Sequence, residues 1–388
     1  MALAPVFLIS ILLHALVGWR VAPALFASYA PFGVAFASAL TLSALLLPLG
    51  VLARRITWPA LSELLTWLGL LCMGLFSTLF VLTLLRELLL LGATIFNRLV
   101  PAMLSWPAIA TDSARALPVL ALLATAVGFW NARRTAAVVR VDVPIANLPE
   151  ALQGFTVAQI SDIHVGPTIK TEYLQRIVDR VNRLQADMVA ITGDLVDGSV
   201  QELRHHVAPL AQLASTHGTF FVTGNHEYYS GAHAWIDVLR GLGVQVLMNE
   251  HVVIHHNKDS QDPERAVVVV AGVTDYSAHH FDESHRSDPQ TALAHAPALT
   301  LFRLLLAHQP RSAPAAAAAG YDLQLSGHTH GGQFWPWGYF VKFQQPFTAG
   351  LHKLDSLWVY TSRGTGYWGP PKRFGAPSEI THLRLVRA

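Results

Sequence analysis

Up to Ala132 the chain consists of long apolar stretches with isolated charges, and beyond it the apolar runs shorten to strand length. A helix that crosses a membrane needs about 20 mainly apolar residues. Phe32–Ala53 and Leu64–Leu85 meet that length. Pro5–Val17, extendable to Ala22, and Ala116–Trp130, interrupted by Pro118, are shorter. The pattern predicts four spans in a membrane domain over residues 1–134, with Leu88–Phe96 either lying along the membrane or extending the third helix. Continuous apolarity without a polar face argues against a buried helical core. The first stretch lacks a basic leader and more spans follow it, which favours a retained helix over a cleaved signal peptide.

From Phe155 onward the period changes. Strands are predicted at Phe155–Ile160, Met188–Thr192, Phe220–Thr223, Ala266–Val273, Leu304–Ala307, Leu323–Ser326, Leu357–Thr361 and Ile380–Val386. Helices are predicted at Thr171–Leu184, Ala234–Leu242 and Pro314–Ala319, and His255–Arg265 reads as a polar hairpin loop. Alternation of this kind predicts an α/β layered domain over residues 154–388. Residues 135–153 form a connector and first edge strand.

Composition sharpens the division. The chain is 52% hydrophobic and only 13% charged, against about 25% charged in a soluble domain. Of 19 histidines only His14 precedes His164, so potential ligands and acid–base groups concentrate in the second part. Net charge is +2 with no long basic run, so nucleic acid is not an expected partner. The single cysteine, Cys72, excludes an intrachain disulfide and a Cys-ligated zinc. Five lysines against 22 arginines point to GC-rich bacterial coding. Arg54–Arg55 and Arg133–Arg134 follow the second and fourth spans. By the positive-inside rule they place the second domain on the cytoplasmic side of a bacterial cytoplasmic membrane.

The chemistry lies just after the predicted strands. Asp162 and His164 follow the first, Asp194 the second, Asn225 and His226 the third, His308 the strand ending at Ala307, and His328 and His330 the strand ending at Ser326. Ligands gather at the carboxyl ends of strands in open α/β sheets. Carboxylate, imidazole and amide ligands suit Mn, Fe or Zn, and admit Mg. Asp-x-His and His-x-His would place two ligands on one face of an extended segment, and Gly193, Gly224 and Gly327 would permit tight turns.

In this order, Asp162-x-His164, Gly193-Asp194, Gly224-Asn-His-Glu227, His308 and Gly327-His-x-His330 resemble the calcineurin-like metallophosphoesterase family, membrane-anchored members included. The resemblance implies an α/β four-layer metallophosphoesterase fold, a β-sandwich flanked by helices, preceded by the α-helical membrane domain. It implies two divalent metal ions, one bound by Asp162, His164, Asp194 and His330, the other by Asp194, Asn225, His308 and His328, with Asp194 bridging. It also implies a metal-activated water that attacks phosphorus, His226 as proton donor to the leaving oxygen, and Asp197 as the group that orients His226. The family's protein phosphatases carry an arginine after that aspartate. Here Gly198 stands there, which argues against a phosphoprotein substrate.

Other motifs carry less. Gly364-Thr-Gly-Tyr-Trp-Gly369 matches a dinucleotide fingerprint, but Pro370–Pro371 forbids the helix that would hold a pyrophosphate. Asp275, His279 and Trp335 are candidate substrate contacts. His279, His280, Asp282 and His285 otherwise read as a solvated loop. Trp335, Trp337, Tyr339 and Phe340 form a substrate wall, a membrane-facing patch or core. The functional expectation is hydrolysis of phosphate mono- or diesters, lipid-linked or nucleotide-linked. The alternatives are a UDP-2,3-diacylglucosamine pyrophosphate hydrolase-like step of lipid A synthesis and a catalytically silent membrane scaffold.

Overall fold

The computed structural model describes residues 3–100, 105–256, 267–297, 300 and 302–388. The chain divides into two compact units, Met1–Trp130 with Gly369–Phe374, and Asn131–Trp368 with Gly375–Ala388.

The first unit contains α1 (Leu3–Ser28), α2 (Ala30–Leu52), α3 (Pro59–Leu99) and most of α4 (Trp106–Arg133). Among the described residues these four helices are long and apolar enough to cross a membrane. The first and fourth outrun the apolar stretches that predict them: α1 continues through Pro23, and α4, with Pro118 inside it, begins at Trp106. Proline is tolerated in membrane helices because neighbouring groups satisfy the freed carbonyls. Leu88–Phe96 extends α3, a helix of 41 residues, about 60 Å at 1.5 Å per residue.

Polar side chains inside this unit are paired, as an apolar surround requires. The His14 ring stacks on Phe76 at 3.6 Å and bridges the Ser10 carbonyl at 2.7 Å and Ser43 Oγ at 2.9 Å. Arg86 donates to Ser113 Oγ at 3.0 Å, to the Ala110 carbonyl at 2.8 Å and to Glu87 at 2.8 Å. The segment Gly369–Phe374 belongs to this unit although it lies far along the chain. Lys372 Nζ donates to the Gly74 carbonyl at 2.8 Å, to Thr125 Oγ1 at 3.0 Å and to Thr78. The Arg373 amide donates to the Gly128 carbonyl at 2.8 Å. Three oxygens around a buried ammonium offset part of its desolvation.

The second unit is built on two mixed sheets. In chain order its strands are β1 (Ala137–Ile145), β2 (Thr156–Ile160), β3 (Met188–Thr192), β4 (Thr219–Val222), β5 (Gln245–Val246), β6 (Glu250–His255), β7 (Val267–Gly272), β8 (Arg303–Leu306), β9 (Leu323–Ser326), β10 (Gly350–Leu354), β11 (Leu357–Thr361) and β12 (Glu379–Arg387). Among the described residues one sheet runs β1-β12-β2-β3-β4-β5 and the other β10-β11-β9-β8-β7-β6. β2, β3 and β4 are mutually parallel, as are β7, β8 and β9. Every residue of β3 is buried, the mark of a central parallel strand covered on both faces.

Residues 137–145 of the expected connector form the edge strand β1, which pairs in parallel with β12. The hairpin loop expected at His255–Arg265 begins at the end of β6 and from residue 257 lies outside the described residues.

Helices cover the outer faces. The remaining helices are α5 (Thr171–Asn182), α6 (Val200–Val207), α7 (Asn225–Ser230), α8 (Ala232–Gly241), α9 (Pro289–Ala292), α10 (Ala313–Ala319) and α11 (Gly338–Val341). Helix α5 buries Tyr173, Leu174, Ile177, Val178 and Val181, the i, i+3, i+4 stripe of an amphipathic helix. With Trp235 and Leu239 of α8 these side chains pack on Ala158, Val189, Ile191 and Phe221. Between the sheets, Val157, Met188, Phe220 and Val222 meet Val268, Val270, Leu304, Leu306 and Leu325. On the far side Ala313 and Ala316 of α10 cover Ala271, Leu305 and Val359. The layers therefore run helix, sheet, sheet, helix, and the carboxyl ends of five parallel strands carry the polar residues described next.

Candidate metal centre

The turns after β2, β3, β4, β8 and β9 bring Asp162, His164, Asp194, Asn225, His308, His328 and His330 together. Asp194 Oδ2 lies 3.2 Å from His308 Nε2, 3.9 Å from His164 Nε2 and 3.9 Å from His226 Nε2. His330 Nε2 is 3.5 Å from Asp162 Oδ1. Potential ligand atoms group as Asp162–His164–His330 and as Asp194–His308–His328, and Asp194 also groups with His164 and His226.

The backbone that does this is not extended. Asp162, His164, Asp194, His328 and His330 all have left-handed backbones, with φ of 53°, 56°, 51°, 68° and 51°. The period-two reading of Asp-x-His and His-x-His is therefore corrected: each ligand turns at its own residue, not by alternation along a strand. A left-handed non-glycine residue costs roughly 1–2 kcal/mol, and such conformations persist where surrounding structure enforces them. Gly193 does supply a turn, at φ 83°. Gly224 and Gly327 act through close approach instead. A Cβ on Gly224 would overlap Asp194 Oδ1, and one on Gly327 would overlap Ser161 Oγ and Asp162 Oδ2. The Gly364–Gly369 segment forms no helix. The Thr365 and Gly366 amides donate to the Ser161 and Asp162 carbonyls at 2.7 and 3.1 Å, bracing the first ligand turn.

Second partners orient the imidazoles. His308 Nδ1 donates to the Thr192 carbonyl at 2.7 Å and His164 Nδ1 to Asp197 Oδ1 at 3.1 Å, so in each ring Nε2 is the nitrogen left facing the other potential ligands. Such outer hydrogen bonds set the tautomer of metal-binding histidines. Each of these nitrogens approaches another imidazole. His164 Nε2 lies 3.0 Å from His330 Nε2, and His308 Nε2 lies 3.2 Å from His328 Nδ1. Asn225 Oδ1 is buried with no hydrogen-bond partner among the described residues. Converging ring nitrogens, carboxylate oxygens and an orphaned amide oxygen fit divalent cations, and a set of nitrogen and oxygen ligands suits Mn, Fe or Zn.

Electrostatics point the same way. Burial would raise the Asp194 and Asp197 carboxyls, but facing imidazoles, His308 first for Asp194 and His164 first for Asp197, hold both below the usual carboxylate range. Burial wins at Asp162 and raises it. Burial and then the charge of His308 lower His328 to about 3, leaving it a neutral imidazole. His226 donates from Nδ1 to Asp197 Oδ1 at 2.5 Å. Burial would lower its pKa, but Asp194 and then Asp197 outweigh burial and raise it to about 9.

Three neighbours carried no recognised role in the sequence. Glu227 is buried and accepts from the amides of Asp194 at 3.0 Å, Leu195 at 2.7 Å, Val196 at 3.3 Å and Gly224 at 2.6 Å, so it holds the Asp194 turn against the start of α7. Burial, then Asp194, pushes its pKa to about 8, while four amide donors favour the ionised form. A glutamate three residues into a helix signals capping of that helix, but not of a second turn. Tyr229 and Trp368, both exposed, set their rings 5.2 and 5.6 Å from that of His226.

None of the three candidate substrate contacts is among the grouped potential ligands. Asp275 is fully buried, its carboxylate accepting from Gln309 at 3.0 Å and from the Ser277 amide at 2.8 Å. His279 packs on the His280 ring at 4.0 Å, outside the groups of potential ligands. Trp335 is exposed at the start of an aromatic segment.

A family model described as calcineurin-like phosphoesterase matches residues 155–332. A zebrafish (Danio rerio) transmembrane protein with metallophosphoesterase domain is 38% identical over 279 residues, which cover 70% of this chain and 63% of the relative's length. An uncharacterized metallophosphoesterase of Aquifex aeolicus is 31% identical over 227 residues, covering 58% of this chain and 82% of the relative. Among solved structures, a 5′-nucleotidase precursor from Thermus thermophilus aligns with a TM-score of 0.38 at 14% identity, covering 60% of this chain and 54% of that one.

Asp194→Asn should cost the full-length protein most of its bound divalent metal and its turnover, because a neutral amide cannot offset two cations. Metal analysis of the purified variant checks this. Full metal content at a normal rate would remove Asp194 from the centre.

Proposed function

We propose, from the premise that this chain belongs to the calcineurin-like phosphoesterase family, that its second unit hydrolyses phosphate mono- or diesters at a centre of two divalent metal ions. Asp162, His164, Asp194 and His330 would hold one ion, and Asp194, Asn225, His308 and His328 the other. The observation that carries this reading is the Asp194 carboxylate, whose Oδ2 lies within 3.9 Å of imidazole nitrogens from three separate turns. When bound, such ions supply Lewis acidity toward phosphoryl oxygens and lower the pKa of a water.

The chain's own residues account for the rest. Asp197 Oδ1 meets both His164 Nδ1 and His226 Nδ1, at 3.1 and 2.5 Å. One carboxylate thus orients a metal ligand and the proton donor together. With Nδ1 engaged, His226 presents Nε2 to the departing oxygen, and its raised pKa keeps that proton in place at neutral pH. Gly198 follows Asp197, so that position has no guanidinium to grip phosphate.

The substrate reading comes from the rim. Tyr229 and Trp368 flank His226, and Phe281 packs on Tyr229 at 5.6 Å. Exposed aromatic groups near a polar site favour a ligand with an apolar part. We therefore take the substrate to be an amphiphilic, lipid-linked phosphoester. Four helices able to cross a membrane would keep the enzyme where such molecules reside. A silent scaffold would not need His226 and Asp197 held at hydrogen-bond distance.

His226→Asn should keep its metal yet lose about 10²–10⁴-fold in rate on an alkyl phosphoester, the usual worth of general acid catalysis. The loss should shrink on a nitrophenyl ester, whose leaving group needs no proton. Equal losses on both substrates would make His226 a phosphate-binding group instead, and loss of metal would make it a ligand.

The arginine pairs at the ends of the second and fourth spans favour a cytoplasmic second unit. A reporter fused after Ala388 should be active only in that compartment. Activity confined to the far side of the membrane would overturn the orientation.

A further inference from the structure

We propose that His233, Asp282 and His285 form a third metal site, separate from the catalytic centre and suited to one zinc ion. His233 Nε2 lies 3.0 Å from Asp282 Oδ2, and His285 Nε2 lies 3.9 Å from the same oxygen. The two imidazole rings are 4.8 Å apart, and the three ligand atoms lie within 4.8 Å of one another. Zinc bonds of about 2.0–2.1 Å at tetrahedral angles separate neighbouring ligand atoms by roughly 3.3 Å. Shifts within reach of side-chain rotation would close the set around one ion, leaving a fourth position to water.

What distinguishes these residues from a solvated loop is how the atoms that do not face the ion are held. Tyr228 Oη bonds His285 Nδ1 at 2.9 Å, which fixes the ring and leaves Nε2 for the metal. Asp282 Oδ1 accepts from the Ser284 amide at 3.0 Å and from Ser284 Oγ at 2.6 Å, leaving Oδ2 for the metal. Outer hydrogen bonds of this kind accompany metal-binding histidines and carboxylates.

The ligands come from two places in the second unit. His233 lies in α8, while Asp282 and His285 lie in the loop after β7. An ion there would fasten that loop to the α7–α8 pair. Between Asp282 and α7 lies Phe281, whose ring rests on Tyr228 at 5.7 Å and on Tyr229 at 5.6 Å. Tyr229 in turn borders His226. Zinc binding would therefore hold one wall of the aromatic rim in place. The site stands whether or not the catalytic reading holds.

The test compares full-length protein with His233→Ala and Asp282→Asn after equilibration with micromolar free Zn²⁺. His233 is 72% exposed on its side chain, so its truncation leaves the fold intact. Asp282→Asn preserves shape and removes only charge. The catalytic centre contributes equally to all three proteins, so a difference reports the third site. Wild type should carry one more zinc per chain than either variant. Zinc should also slow amide hydrogen exchange across residues 278–285 in wild type and in neither variant. Equal zinc content in the three proteins, or zinc-independent exchange in wild type, would overturn the proposal.

Discussion

Four carboxyl groups, Asp162, Asp194, Asp197 and Glu227, are almost wholly buried beside one another, and the remainder of the second unit is arranged to make that concentration of buried polar and charged groups tolerable. A buried charge without a partner costs several kcal/mol, and paired geometry offsets that cost only when every remaining lone pair is satisfied. Glu227 is satisfied by four amides and Asp197 by two imidazoles. Asp194 faces imidazoles from three turns, and the nearby Asn225 Oδ1 has no partner among the described residues. The ring nitrogens of His164, His330, His308 and His328 converge on the same space. Divalent cations there would engage those nitrogens and offset the charge together.

The same demand explains the local backbone. Five potential ligands sit at left-handed φ, each at a conformational cost that a loop without function would shed. Gly224 and Gly327 let neighbouring turns approach closely enough for their side chains to share the space around Asp194 and Asp162. The two sheets provide the rigid base. Parallel strands on both sides of the apolar layer end at one edge, so five turns separated widely in sequence converge there.

Much of this was legible in the sequence for a simple reason. Buried parallel strands are short apolar runs, and a polar residue just after such a run marks its carboxyl end. Asp162, Asp194, Asn225, His308 and His328 could be placed that way, and the layered α/β order followed from the alternation. The turn conformations were not legible, since positive φ stays a minority conformation even for Asp and His, where it is enriched; the period-two expectation failed for that reason. Helix lengths in the first unit were underestimated because the apolar stretches stop short of the helix ends: α1 continues through Pro23, and α4 begins at Trp106, well before Ala116. Strands β5 and β10 escaped notice because they are two and five residues long at sheet edges, with weak apolar character. No local pattern predicts that Gly369–Phe374 belongs with the helices of the first unit, or that Trp368 lies against His226. Those are consequences of long-range packing.

The central claim is that Asp194 is shared between two ions. Anomalous X-ray diffraction from crystals of the Mn²⁺-loaded protein tests it most directly. The account predicts two peaks about 3.5–4 Å apart, as in other two-metal centres, with the Asp194 carboxylate touching both. A single peak, or two peaks of which only one contacts Asp194, would contradict it.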